Sequence, residues 1–217
     1  MMRTSEPCST TVYLVRHGES LLNLEKRVSG QFDTALSPHG LRQAQRLADQ
    51  LRHVALTGVY TSALSRTIET ARPTATLHGL PIQTRSGLNE LHMGVLEGRF
   101  RDARDPEASV IWKAHQHDKR HYRIPEGECF LDLVERVKTS LHDILAQEVG
   151  NTILIVGHRN VNRILFGSLM HRPEDEWPDL SLKSRCLYQI VTGRHPDMSM
   201  IPLRAHADED TLTHPMV

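Results

Sequence analysis

Thr11-Val12-Tyr13-Leu14-Val15 runs directly into Arg16-His17-Gly18-Glu19. A short run of β-branched, aromatic and aliphatic residues predicts a strand buried on both faces. The change of character at Arg16 then puts a guanidinium and an imidazole at the strand's carboxyl end. That edge is where open α/β sheets bind their ligands. The arrangement recurs where Thr152-Ile153-Leu154-Ile155-Val156 leads into Gly157-His158-Arg159. Two strands that each bring a histidine and an arginine to one edge call for an anion, and phosphate fits.

Further strands are predicted at Val59–Thr61 and Tyr188–Val191, with helices between the strands. Ser37 is a good N-cap, and Pro38 suits the first helical position. Leu41, Ala44, Leu47, Ala48 and Leu51 then trace one helical face. Leu64 to Ala71 reads as a helix ended by Pro73. Leu131, Val134, Val137, Leu141, Ile144 and Leu145 trace another stripe, closed by Gly150, and Asn160 to Met170 forms a fourth helix. Alternating strands and helices predict an α/β fold with a mainly parallel sheet between helix layers.

Composition narrows the function. Lys plus Arg number 26 and Asp plus Glu 26, so no overall field draws the chain to nucleic acid or to an acidic membrane. Any cationic site must therefore be local. No apolar run is long enough to span a bilayer, and Met1 to Thr10 lacks the apolar stretch of a secretory signal. Cys8, Cys129 and Cys186 are an odd number without paired spacing, which predicts free thiols in a reducing, cytoplasmic setting. The chain is expected to form one domain over 1–217, with a core of about 11–203 and frayed termini at 1–10 and 204–217.

His17 is the candidate nucleophile, because an unsubstituted imidazole nitrogen can attack phosphorus and split one hard displacement into two easier ones. Arg16 stands beside it. Arg66 falls in the first turn of the helix after Val59–Thr61, at the same sheet edge, where free N–H groups favour anions and a guanidinium fork can bind two phosphate oxygens. His158 arrives on the second strand. Like charges 4 Å apart cost about 4 kcal/mol at an effective dielectric of 20, so this cluster needs either a dianionic ligand or compensating carboxylates. The neighbouring cations are expected to keep His17 neutral and nucleophilic. Glu90, in Leu88-Asn89-Glu90-Leu91, is the candidate acid for a leaving alkoxide. Glu97 competes with it but reads as a structural partner.

Leu14-Val15-Arg16-His17-Gly18-Glu19-Ser20, with Asn23, Gly30 and Leu36-Ser37-Pro38-His39-Gly40, resembles the opening of the histidine phosphatase superfamily. That family includes cofactor-dependent phosphoglycerate mutase, fructose-2,6-bisphosphatase and the alpha-ribazole phosphatases. Tyr60-Thr61-Ser62 with Arg66-Thr67 and Glu69-Thr70-Ala71, Asn89-Glu90 with Gly94 and Glu97-Gly98, Pro125-Glu126-Gly127-Glu128, and Gly157-His158 with Asn160 extend the resemblance over about residues 11–192. It implies a three-layer α/β/α sandwich around a mixed, mostly parallel sheet, and phosphoryl chemistry with no metal and no cofactor. It further implies that His17 becomes phosphorylated, that Arg16, Arg66 and His158 hold the phosphoryl group, and that Glu90 donates the proton. Asn23, Ser29, Gly30, Arg159 and Asn160 are then the expected substrate-binding residues.

Four positions depart from the family pattern. Ala63 stands where proline is common. Cys129 replaces a serine, which removes a polar contact to substrate. Arg159 adds a third arginine and a bulkier wall. Met93 sits where mutases carry tyrosine, which argues against mutase activity.

His158 follows Glu90 by 68 positions, a shorter interval than the mutases' insertion that shields their bisphosphorylated intermediate from water. Hydrolysis of a small phosphate ester is therefore expected over mutase-type transfer. Arg101, at the spacing of a mutase lid lysine, is the contrary sign. The lid is expected at about 99–127, and its run of basic residues reads either as a cover for a second negative group or as a solvated helix pair. His115, His117 and His121 lack the supporting ligands of a metal site. A non-catalytic phosphate-binding role is disfavoured because every core position is filled. A nucleotide-binding module is disfavoured because no glycine-rich phosphate loop is present. An edge strand is expected to offer a homodimer contact.

Overall fold

The computed structural model describes residues 9–203; Cys8 and the ends expected to fray lie outside them, apart from Ser9 and Thr10. Six strands form one sheet: β1 (Thr11–Arg16), β2 (Gly58–Thr61), β3 (Ile82–Thr84), β4 (Thr152–Gly157), β5 (Cys186–Val191) and β6 (Asp197–Pro202), in the order β3-β2-β4-β1-β5-β6. The β1–β4, β4–β2 and β2–β3 pairs are parallel; β5 runs antiparallel to β1, and β6 to β5. The sheet is thus mixed and mostly parallel, as expected.

Alternation along β1 and β4 feeds two cores. Val12, Leu14, Ile153 and Ile155 face α5 (Phe130–Gln147) and α6 (Arg159–Leu169). Tyr13, Val15, Leu154 and Val156 face α2 (Pro38–Leu51) and α3 (Ser65–His78). Helices therefore cover both faces. Two short helices complete the set: α1 (Leu21–Leu24), which follows β1, and α4 (Pro106–His117), between β3 and α5. After β1 the chain passes to one face, and after β4 it passes to the other. Adjacent strands that diverge in this way open a crevice at their carboxyl ends. The register fixes its contents: Arg16 lies opposite Gly157, and Thr61 opposite Val156. His17, His158 and Ser62 thus leave the sheet at one level.

Ser37 caps α2 by accepting from the Gly40 N–H at 3.0 Å. Ala44, Leu47, Ala48 and Leu51 are buried as predicted, but Leu41 is 53% exposed. The first turn packs instead through Gly40, where an added Cβ would lie 2.1 Å from the Glu19 carbonyl oxygen. That contact turns Leu41 outward.

Pro73 does not end α3. The helix runs on to His78 and closes at Gly79, in the left-handed region at φ 64°. Interior proline costs about 3 kcal/mol, yet Ala71, Thr74 and Ala75 are buried beyond it or around it, and that burial keeps the segment helical. Phe130 and Leu133 join the buried stripe of α5 while Leu131 is exposed. Gly150, at φ 77°, turns the chain towards β4 after the helix has ended. The pattern did not reveal β3 and β6. Both are edge strands with few buried side chains, so neither carries a strong period.

Candidate active site

His17 continues β1 by donating its backbone N–H to the Gly157 carbonyl at 3.0 Å. Gly18 then turns the chain against Gly40, where a Cβ would meet the Gly40 carbonyl oxygen at 2.7 Å. Its N–H is held by Thr70 Oγ1 at 2.9 Å. This fixed turn places the Gly18 carbonyl 2.7 Å from His17 Nδ1. A carbonyl can only accept, so Nδ1 carries the proton and Nε2 keeps its lone pair.

The His158 ring lies 5.1 Å from the His17 ring, centroid to centroid, in an edge-on arrangement. His158 Nε2 is 2.8 Å from Ser62 Oγ, which is itself 2.8 Å from Thr67 Oγ1. His158 Nδ1 is buried with no partner among the described residues. It is the nitrogen available to a ligand.

Both rings are held well below the usual imidazole range. For His17 the larger cause is burial, followed by Arg16 and Arg66. For His158 it is again burial, then Arg66, His17 and Arg16. Desolvation therefore leads and the cations follow; the reading from sequence named only the cations. This has a consequence for stability. The unfolded chain protonates its histidines near pH 6.5, while the folded protein keeps both rings neutral. Acid thus favours the unfolded state. Folding stability is expected to fall below about pH 6.5, by up to about 1.4 kcal/mol per pH unit for each of the two histidines. Urea midpoints between pH 5 and 8 check this. A His158→Asn protein whose midpoint keeps the full native slope would contradict it.

Arg66 is fully buried in the first turn of α3. Its Nη2 donates to the Gly30 carbonyl at 2.6 Å, its Nη1 to the Phe32 carbonyl at 3.0 Å, and its Nε is unpaired. Part of the fork expected to meet phosphate thus clamps the 30–32 loop. Gly30 is the residue gripped by this clamp. It is buried at φ 51°, and a Cβ there would strike Glu97 Oε1 at 2.2 Å. It shapes the loop, with its carbonyl already engaged. Glu97 accepts from the Gln31 and Met93 N–H groups at 2.7 and 2.9 Å.

Glu90, in the segment that follows β3, lies against the first turn of α6. Its Oε1 accepts from the Leu91 N–H at 2.8 Å, and its Oε2 from the Asn160 N–H at 3.3 Å. Burial lowers the pKa of both Arg16 and Arg66, and Glu90 is the first carboxylate to offset it in each. Sequence reading missed Arg136, which fixes Glu90. Arg136 donates to the carbonyls of Gly87, Asn89 and Glu90 at 3.0, 2.6 and 2.8 Å, and binds both carboxylate oxygens of Glu128. A lone arginine in the Leu131–Leu145 stripe carries no local signal of that role.

A cavity of about 340 Å³ opens on this cluster, lined by Arg16, His17, Asn23, Arg101 and Arg159 among others. His39 and Gln43, from α2, also line it, and neither was singled out from sequence. Asn23 is engaged in the capping box of α1, and its Nδ2 reaches Ser29 Oγ at 3.5 Å. Ser29 thus stands behind Asn23. The Asn160 side chain accepts from Arg163 Nη1 at 3.1 Å and borders a smaller, more apolar cavity of about 90 Å³ with Leu91 and Trp112. Cys129, in the place of serine, is the N-cap of α5, and its backbone N–H donates to Asp132 Oδ2 at 2.8 Å.

The basic stretch over the site is largely neutralised. Arg99 pairs with Asp105 and Glu107, Arg104 with Asp102, Lys119 with Asp179 and Arg123 with Asp132. Arg101 instead lies over the Trp112 ring at 4.9 Å. Among the described residues no group of three or more His, Cys, Asp or Glu converges as a metal site, and no helix is long and apolar enough to cross a membrane.

Comparison with known proteins agrees with this geometry. The family model of the histidine phosphatase superfamily (branch 1) matches residues 12–198. A probable phosphoglycerate mutase, GpmB, from Yersinia pestis is 36% identical over 185 residues, 85% of this chain and 86% of its own length. The alpha-ribazole phosphatase structure from Shigella flexneri superposes with a TM-score of 0.79 at 28% identity, covering 88% of this chain and 96% of its own. The Bacillus stearothermophilus YhfR structure gives a TM-score of 0.75 at 30% identity, covering 83% and 90%.

Proposed function

The chain belongs to the histidine phosphatase superfamily, branch 1, and on that premise we propose that it hydrolyses small phosphomonoesters through a phosphohistidine formed on His17. The observation that carries this reading is the His17 ring, with Nδ1 engaged by the Gly18 carbonyl, opposite His158, in a cavity open to solvent. Nε2 attacks phosphorus as the ester P–O bond breaks. The leaving alkoxide takes its proton from Glu90. Water then attacks the phosphohistidine, and Glu90 accepts the proton of that water. Arg16, the free Nε of Arg66 and His158 Nδ1 stabilise the charge on the transferring group, which is the dominant need in phosphoryl transfer. Two guanidinium groups supply the positive charge for which other phosphatases use metal ions, so the reaction is assigned no metal.

The relatives' names divide between mutase and phosphatase. The short interval between Glu90 and His158, which leaves little chain to seal the cavity, and the neutralised lid favour hydrolysis. The proposal includes a reducing, cytoplasmic setting, suited to the free buried thiols of Cys129 and Cys186. It also includes pairing of two copies through the sheet edge, of which β6 is the longer strand. Incubation with 3-phosphoglycerate and its bisphosphate primer in excess chelator tests the central reading. Phosphate release is expected to exceed isomerisation by more than about tenfold. Isomerisation that outpaces release would reassign the protein as a mutase, and activity abolished by chelator would overturn the metal-free assignment.

A further inference from the structure

We propose that a cavity of about 230 Å³ adjoining the phosphoryl site is a second anion-binding subsite, and that the substrate therefore carries a carboxylate or second phosphate close to its ester. This inference rests on the phosphatase reading and names the substrate class. Arg159, Arg163 and Lys183 line the cavity, and Arg16 and His158 form the wall it shares with the phosphoryl site. Two elements build it. Arg159 and Arg163 are one turn apart at the start of α6. Lys183 comes from the segment before β5, which is anchored where the Lys183 backbone N–H donates to Tyr188 Oη at 2.7 Å.

The charge balance there is unlike that of the lid. Among the described residues no carboxylate pairs with Arg16, Arg159, Arg163 or Lys183, and no Asp or Glu lines the cavity. Arg163 is half-buried, yet its hydrogen bonds go to neutral acceptors, the Leu180 carbonyl and the Asn160 side chain. Cations brought together repel each other; Glu90 and Asp179 offset part of this from outside the lining, and a ligand anion relieves the rest. The larger cavity is also cationic, with Lys26, Arg101 and Arg185 in its lining, but Glu19 lies in its wall and Arg27 pairs with Glu25.

Unpaired buried polar atoms point the same way. Asn162 Oδ1, His158 Nδ1 and Arg16 Nε are buried without partners, and all three residues line this cavity. Buried polar atoms are rarely left unpaired in a native protein; the phosphoryl group would satisfy His158 Nδ1 and Arg16 on the shared wall, which joins the two cavities around one ligand. The guanidinium and ammonium donors suit anionic oxygens. A cavity of this volume suits one anionic group and the short chain that bears it.

The test uses 3-phosphoglycerate and glycerol 3-phosphate, which differ only by carboxylate against hydroxymethyl. Titrated into His17→Ala protein, which does not turn them over, the carboxylate ester is expected to bind about tenfold or more tightly, the scale of one charged hydrogen bond. In His17→Ala/Lys183→Gln protein that advantage is expected to shrink about tenfold. The Lys183 side chain is exposed, so this substitution spares the fold. In the catalytically intact protein the ratio of kcat/KM for the two esters should fall likewise on Lys183→Gln, mainly through KM. Propanediol bisphosphate against propyl phosphate distinguishes a second phosphate from a carboxylate as the preferred group. Equal affinity for both members of each pair would overturn the subsite, as would an advantage untouched by both Lys183→Gln and Arg159→Gln. A binding preference without hydrolysis of either ester would leave the subsite standing and defeat the phosphatase reading.

Discussion

His17→Ala protein is expected to release phosphate from aryl and alkyl monoesters on the order of 10⁴- to 10⁶-fold more slowly than the native protein. The reason is specific to the geometry. His17 Nε2 is the imidazole nitrogen left free by the Gly18 carbonyl, whereas His158 Nε2 is engaged with Ser62. Without His17, direct attack by water must replace attack by a positioned nitrogen, although the arginines still stabilise the transferring group. The fold should tolerate the change, because the alanine removes a ring whose desolvation already disfavours its charged form. A steady-state phosphate assay measures the loss. Alkaline quenching adds a direct readout: native protein should retain label from a radioactive ester as an acid-labile adduct, and His17→Ala protein should retain none. Residual activity above a few per cent would move the nucleophile elsewhere.

Glu90→Gln should slow alkyl esters about 10²- to 10⁴-fold, the usual worth of a positioned general acid. Nitrophenyl phosphate, whose leaving group needs little protonation, should lose about tenfold or less in its first step. The substitution keeps one acceptor oxygen, which serves the Leu91 N–H, so that only the longer 3.3 Å bond from the Asn160 N–H is lost, and Arg136 continues to hold the backbone carbonyl at position 90. The contrast between substrates therefore reports protonation and not collapse of the loop. Equal slowing of both esters would sink Glu90 as the proton donor.

The strands that lead into His17 and His158 were legible because each is a short apolar run followed at once by charge, a signal contained within about ten residues. Ser37 and Pro38 announced α2 in the same local way. Pro73 misled for the opposite reason: its local cost is real, but burial of its neighbours against distant residues outweighs it. Arg66 was legible as a cation at the sheet edge. Its clamp on the Gly30 and Phe32 carbonyls was not, since those partners lie more than thirty positions away.

The lid illustrates the same division. Its arginines read as a basic cover when taken in order, yet most are paired with acids in the folded chain. The uncompensated positive charge gathers instead where α6 meets the segment before β5. By itself the sequence determined the residue types at the strand ends, the layered fold and the superfamily, because each depends on spacing along the chain. Only the tertiary structure decided which cations keep their charge free for a ligand, which histidine nitrogen holds a lone pair, and what holds Glu90 in place. Those depend on pairing between distant segments, where burial and counter-charge are set by contacts that no local pattern records.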